Sequence, residues 1–157
     1  MPFLDLPGTT MFYDDQGKGR PPLVLVHGFT CTHEDWRFQV AYFHSRHQMV
    51  YTDLRGHGLS SCQNSLTCTV KNCGADVKAL LEGLDLKDAV LVGHSLGCRV
   101  VLQANLVAPE RVGALVLLES SRIAAGDPQA GAAKARQLIE TTGYAPLLYS
   151  CFLEICR

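Results

Sequence analysis

Apolar residues are grouped along the chain in two ways. Short unbroken runs at Leu23–Val26, Met49–Thr52, 89–92 and Val112–Leu118 have strand length and lack the polar alternation of a half-exposed strand. They read as strands buried on both faces. Between them, apolar positions recur at helical spacing. Over 67–84 they fall at Val70, Cys73, Val77, Leu80, Leu81 and Leu84, with Lys71, Lys78 and Glu82 on the opposite face. A shorter helix is predicted over 36–43, and Leu96–Val107 is apolar nearly all round, as suits a helix packed deep against a sheet; Pro109 ends it. Near the start, Phe3–Leu6 and 11–13 flank Pro7-Gly8 and predict an antiparallel hairpin. Strands alternating with helices predict an α/β fold, a mostly parallel sheet with helices on both faces.

Beyond Glu119 the pattern changes. Asp127-Pro128 is an N-cap followed by proline at the first helical position, opening an Ala-rich helix that Gly143 closes. Pro146 opens a final amphipathic helix with Leu147, Leu148, Cys151, Phe152 and Ile155 on one face. The expected division is a core over 1–121 and a helical region over 122–157.

Composition narrows the function classes. With 47% hydrophobic and 18% charged residues in 157, the chain can bury a core and is not disordered. A net charge of -1 gives no drive toward nucleic acid or an anionic membrane, and a small-molecule partner fits better. The N-terminus carries Asp5 and two prolines in place of a basic and then apolar leader, and no apolar run approaches the roughly 20 residues that span a bilayer. A cytoplasmic location is therefore expected. The seven cysteines contain no C-x-x-C pair, so reduced thiols are expected, without a metal or other cofactor.

The chemistry concentrates in three segments. Gly93-His94-Ser95-Leu96-Gly97 fits G-x-S-x-G between an apolar strand and an apolar helix, the context of a nucleophile elbow. Small residues at both glycines permit a tight strand-to-helix turn that leaves Ser95 projecting at a helix N-terminus, whose dipole favours developing negative charge. The plain alternative is a glycine turn with an N-capping serine. His27-Gly28-Phe29 directly follows the strand Leu23–Val26, and its glycine lets the Phe29 N–H turn toward a bound carbonyl. Together with the Leu96 N–H this makes a two-donor oxyanion hole, each donor being worth roughly 10² to 10³ in turnover. The third segment is the polar glycine turn Asp53-Leu54-Arg55-Gly56-His57-Gly58-Leu59-Ser60, which closes the strand Met49–Thr52.

In order and spacing, H-G-F, Trp36, D-L-R-G-H-G-L-S, Asp76 and V-G-H-S-L-G resemble the α/β-hydrolase superfamily over residues 11–121. The similarity is greatest to its small esterase, lactonase and cofactor-free haloperoxidase branch. The resemblance implies an eight-stranded sheet, a triad in the order Ser, acid, His, a cap inserted after the sixth strand, and Ser95 as nucleophile. In the family the elbow usually continues with a second glycine, where this chain has Cys98, a small residue able to pack close to the sheet. All six histidines (27, 33, 44, 47, 57 and 94) precede Ser95, so the family's base has no counterpart after it. His94 is expected to point away from Ser95, and His27 and His57 stand where the family uses loop-forming residues.

Glu119 ends the sixth strand. Haloalkane dehalogenases place their acid at this point, but a solvated strand-end carboxylate is the plainer reading. Trp36 and Phe29 are candidates for an acyl pocket, with a core role at least as natural for Trp36. The strand count stops at six, which predicts a chain that is the N-terminal part of a hydrolase, ending inside the cap, and a sheet edge at Val112–Leu118 open to self-association. Two functional readings follow. One is a serine hydrolase acting on a small ester, lactone or related acyl compound; the other is a noncatalytic ligand-binding or partner-binding fragment of the same fold.

Overall fold

The computed structural model describes residues 2–119 and Gln137. The chain falls into two units, Met1–Ser120 and Ser121–Arg157, and Gln137, helical and exposed, is the only described residue of the second. The helices expected after Asp127, and the boundary of a cap, lie outside the described residues.

β1 (Phe3–Leu6) and β2 (Thr9–Gln16) form the expected antiparallel hairpin, with β2 longer than its apolar residues alone suggest. The extension has a cause: 13–16 pairs antiparallel with β4 (Met49–Thr52), so backbone hydrogen bonds carry the strand through the polar Asp14 and Asp15. β3 (Leu23–Val26) pairs in parallel with β4 on one side and with β5 (Ala89–His94) on the other. β6 (Val112–Leu118) pairs in parallel with β5, giving the order β1-β2-β4-β3-β5-β6.

Period-two alternation divides the strand side chains between two cores. Val24, Val26, Val50 and Leu91 face one side, where they pack with Cys73, Val77, Leu80 and Leu81 of α2 (Val70–Gly83) and Val100, Val101 and Ala104 of α3 (Leu96–Val107). Leu25, Met49 and Tyr51 face the other, with Trp36 and with Val40 of α1 (Arg37–Phe43). Helices therefore cover both faces, as an α/β sheet requires.

Two helix starts differ from the periodic pattern, and capping explains both. Before α1, His33–Trp36 is a 3-10 turn held by a reciprocal box in which Thr32 caps and Asp35 accepts from the Thr32 N–H. Before α2, Thr69 accepts from the Asn72 N–H, so the helix begins at Val70, and Ser65–Thr67 forms a separate 3-10 turn. β5 in turn runs two residues past its apolar core, because Gly93 and His94 still pair with Leu117 and Leu118 of β6. This puts the end of the strand directly against Ser95.

Candidate active site

Ser95 sits between β5 and α3 with φ 51 and ψ −113, and it is exposed. A side chain in that backbone region is strained by about 1–3 kcal/mol, and the surroundings hold it there. The Ser95 N–H donates to Leu118 O at 3.0 Å, and its carbonyl accepts the Cys98 N–H at 3.1 Å, so the residue is tied to β6 and to the first turn of α3 at once. The flanking glycines are required by close approach. A Cβ on Gly97 would collide with the carbonyls of Val26 and His27, and one on Gly93 would meet the backbone of Gly97 and Cys98. Cys98 is fully buried, its thiol donating to Gly93 O at 3.0 Å and lying 3.2 Å from Leu118 O. A small side chain thus fits where the family has its second glycine.

Gly28 lies beside the elbow. A Cβ there would stand 3.2 Å from Ser95 Cβ and 3.0 Å from His94 Nδ1. The chain leaving β3 therefore passes Ser95 at Gly28, one residue before Phe29, whose ring is half exposed and meets His57 edge-on with centroids 5.9 Å apart. Leu96, the first residue of α3, has no intrahelical acceptor for its N–H, as in any first helical turn. His27 is fully buried: its Nε2 accepts the Leu54 N–H at 3.0 Å, which leaves Nδ1–H to donate to Gly28 O at 2.7 Å. Burial holds its pKa below the usual value, so it is a neutral strut between the loops that follow β3 and β4.

The Asp53–Ser60 segment is built around groups whose partners are distant in sequence. Asp53 is fully buried; it accepts the His33 N–H at 2.6 Å, His33 Nδ1–H at 2.9 Å and the Leu59 N–H at 2.8 Å. Gly58 is needed because a Cβ there would strike the Asp53 carboxylate. Ser60 Oγ donates to Asp53 O and accepts the Phe12 N–H. Arg55 and Asp76 form a buried two-point ion pair, Nε to Oδ2 at 2.7 Å and Nη2 to Oδ1 at 2.6 Å, pinning this loop to α2. The carboxylate on Arg55 holds its pKa above the ordinary value. These positioning roles have no mark in local periodicity, since Asp53 and His33, or Arg55 and Asp76, stand about twenty positions apart.

Every histidine ring has a hydrogen-bonding or charged neighbour other than Ser95. His33 is on Asp53, His44 on Val40 O, His47 on Pro21 O and His57 on Arg55 O. His94 Nε2 lies 3.4 Å from the carboxylate of Glu119, which is largely exposed. Trp36 is buried in the second core, its Nε1–H without a partner. A cavity of about 450 Å³ opens beside the strand ends, with His27, Trp36, Gln39, His94, Leu118 and Glu119 in its wall. Among the described residues no three His, Cys, Asp or Glu side chains are grouped to hold a metal ion, and no helix is long and apolar enough to cross a membrane.

Comparison with known proteins agrees with the fold. Residues 21–148 match the family described as alpha/beta hydrolase fold. A non-heme chloroperoxidase of Streptomyces lividans is 39% identical over 119 residues, which are 72% of this chain and 42% of the relative. A hydrolase from Pseudomonas aeruginosa superposes with a TM-score of 0.83 at 28% identity, over 98% of this chain and 57% of that one. Est816, described as an N-acyl homoserine lactone degrading enzyme, superposes with a TM-score of 0.73 at 29% identity, over 90% and 52% respectively. The chain spans about half the length of the relatives it matches.

Proposed function

The chain belongs to the α/β-hydrolase fold family, and from that premise we propose that Ser95 is the nucleophile of a serine hydrolase acting on a small carboxylic ester, lactone or related acyl compound. The observation that carries this reading is the strained, exposed Ser95 at the tip of β5, with Gly28 against its Cβ. In the proposed reaction the Ser95 hydroxyl attacks the acyl carbon and loses its proton to solvent, and the oxyanion is held by the Phe29 and Leu96 N–H groups. The acyl C–O bond then breaks, the alcohol leaves and takes up a proton, and water hydrolyses the acyl-serine to the acid and free Ser95. The positive end of α3 adds to the same stabilisation. We assign no acid or base role to Glu119 or to any of the six histidines.

A second reading, noncatalytic binding by the same fold, is favoured by one observation: all six histidine rings are engaged with other groups. One experiment separates the two. Without a base on Ser95, acylation by p-nitrophenyl acetate is slow and deacylation slower, so an acetyl group should accumulate. Trypsin releases residues 88–99, and the hydrolase reading requires acetyl on Ser95 in that peptide, absent in Ser95→Ala. An unmodified Ser95 in protein whose surface lysines have been acetylated would refute it, read in residues 88–99 and in the longer peptide ending at Arg99 that remains where acetylated Lys87 resists trypsin.

A further inference from the structure

Away from Ser95, two thiols stand together on the loop that follows β4. Cys62 Sγ and Cys68 Sγ are 2.9 Å apart, Cys62 partly buried and Cys68 exposed. Local structure brings them together. Asn64 caps the Ser65–Thr67 turn, its Oδ1 accepting the Leu66 N–H and its carbonyl the Thr67 N–H, while the Cys68 N–H closes back on Ser65 O. This folds six residues of separation into direct contact. The pair rests on Gly56, where a Cβ would lie 3.2 Å from Cys68 Sγ and 3.5 Å from Cys62 Cβ, so the missing side chain makes the room the sulfurs occupy. Bonded sulfurs stand about 2.0 Å apart, so bridging needs roughly an ångström of approach in an exposed loop.

The other described thiols are differently placed. Cys73 and Cys98 are buried, and burial pushes the Cys31 and Cys73 thiols up to about 11. Cys62 moves the other way. The Cys68 S–H donates to it first, with the Thr67 hydroxyl and the Arg55 guanidinium adding to the effect, and its pKa falls below the usual thiol value. Burial and the neighbouring Cys62 hold Cys68 up at about 11. A more acidic thiol paired with a less acidic, exposed one is the arrangement of an attacking and a resolving cysteine.

We propose that Cys62 and Cys68 form a redox-responsive dithiol that closes into a reversible disulfide over Gly56, with Cys62 as the attacking and Cys68 as the resolving thiol. The oxidant is a hydroperoxide. The Cys62 thiolate attacks one peroxide oxygen; an S–O bond forms, the O–O bond breaks, and the departing oxygen takes up a proton, leaving a sulfenic acid. Cys68 then gives its proton to solvent and attacks Cys62 Sγ. The S–S bond forms, the S–O bond breaks, and hydroxide leaves and is protonated to water. Two thiols lose two electrons and the peroxide gains them. A small thiol or dithiol reverses the bridge by exchange. Closure fixes the loop against Gly56, the residue before His57, whose ring meets Phe29 edge-on, so the redox state reaches the rim of the Ser95 site. The inference stands whether or not Ser95 is catalytic.

The full chain suffices for the test, with hydrogen peroxide as the probe. Trypsin cleavage after Arg55 and Lys71 yields residues 56–71, which contain these two cysteines and no other. Reduced protein treated with a maleimide should give this peptide doubly alkylated. After peroxide it should be unalkylated and lighter by two hydrogen atoms, and dithiothreitol should restore the first result. The folded chain should oxidise at least about tenfold faster than the synthetic 56–71 peptide, because the fold presents the pair already in contact. Cys68→Ser should leave a sulfenic acid at Cys62 that dimedone traps, whereas Cys62→Ser should leave Cys68 alkylatable. A folded chain that oxidises no faster than the peptide, or that bridges Cys62 to a different cysteine, overturns the proposal. Dimedone trapping at Cys68 in Cys62→Ser would overturn the assignment of roles.

Discussion

Removing Asp76 tests whether the Arg55 pair is what fastens the Asp53–Ser60 loop to the body of the fold. Both side chains are about 95% buried, since each is 5% exposed, and the pair is joined by two short bonds at 2.7 and 2.6 Å. With charge centres about 4 Å apart and an effective dielectric of about 20, their attraction is about 4 kcal/mol. Asp76→Ala leaves a guanidinium that cannot shed its proton, and its remaining acceptor is Thr67 O at 3.4 Å, too long to compensate. Breaking one side of such a pair costs about 3–5 kcal/mol, a large share of the roughly 5–15 kcal/mol that a domain has in all. Urea unfolding followed by circular dichroism at pH 7 should therefore show Asp76→Ala losing about 3–5 kcal/mol. The double variant Arg55→Met, Asp76→Leu buries no charge and should recover most of that loss. A cost below about 1 kcal/mol for Asp76→Ala, or a double variant as unstable as the two single losses summed, would refute the argument.

Ser95→Gly should be more stable than Ser95→Ala by about 1 kcal/mol, because glycine relieves the strain at φ 51; equal urea midpoints would show that the backbone is not strained. Stability should fall on acidification below about 6.5, the value of a free imidazole, because the buried neutral His27 binds its proton less readily folded than unfolded. The unfolded chain then holds the extra proton, which gives a slope of up to about 1.4 kcal/mol per pH unit until the folded-state value is passed; midpoints that do not move between pH 7 and 5.5 would contradict this. β6 closes one edge of the described sheet, with Val116, Leu117 and Leu118 each about 40% exposed, so concentration-dependent light scattering is expected, and a monodisperse monomer would count against it.

The elements that could be read from the chain are those whose cause is local. Leu23–Val26, Met49–Thr52, Leu96–Val107 and Val112–Leu118 match their apolar runs to the residue, because an uninterrupted apolar run is a local mark. β3 and β4 are buried as the pattern suggests, whereas α3 leaves Leu102 and Leu106 exposed and β6, expected to be buried on both faces, has no fully buried residue. Ser95 and its flanking glycines were legible for the same reason, as a turn between two such runs. What the pattern could not disclose depends on distant partners. The continuation of β2 through Asp14 and Asp15 follows from pairing with β4, and nothing in the residues themselves marks it. The work of Asp53 depends on His33 and Leu59 N–H groups that only the folded chain brings to it. Cys62 and Cys68 read as ordinary small residues until the Ser65–Thr67 turn puts them in contact.

The location of the site follows from topology more than from any one side chain. From β3 the chain crosses by α1 on one face to β4, and from β4 it returns by α2 on the other face to β5 on the far side of β3. The strand order therefore reverses between β3 and β5, and loops leaving two neighbouring strands in opposite directions open a crevice beyond their C-terminal ends. Register then decides what meets there. Val26 is paired with Gly93, so the two residues following each, His27 with Gly28 and His94 with Ser95, emerge side by side. The serine and the proposed Phe29 and Leu96 donors thus arise from two adjacent strand ends and the first turn of one helix, all within residues 23–97, and their geometry is set by backbone approach at Gly28, Gly93 and Gly97. A base has no such local origin: it has to reach Ser95 from a separate loop, and the imidazoles near this crevice are already committed, His27 to Leu54 and Gly28 and His57 to Arg55. The proposed nucleophile and oxyanion donors therefore form one structural unit, and a base would belong to another. For that reason the acyl group left on Ser95, and not the overall rate of hydrolysis, is the quantity that tests the site this chain carries.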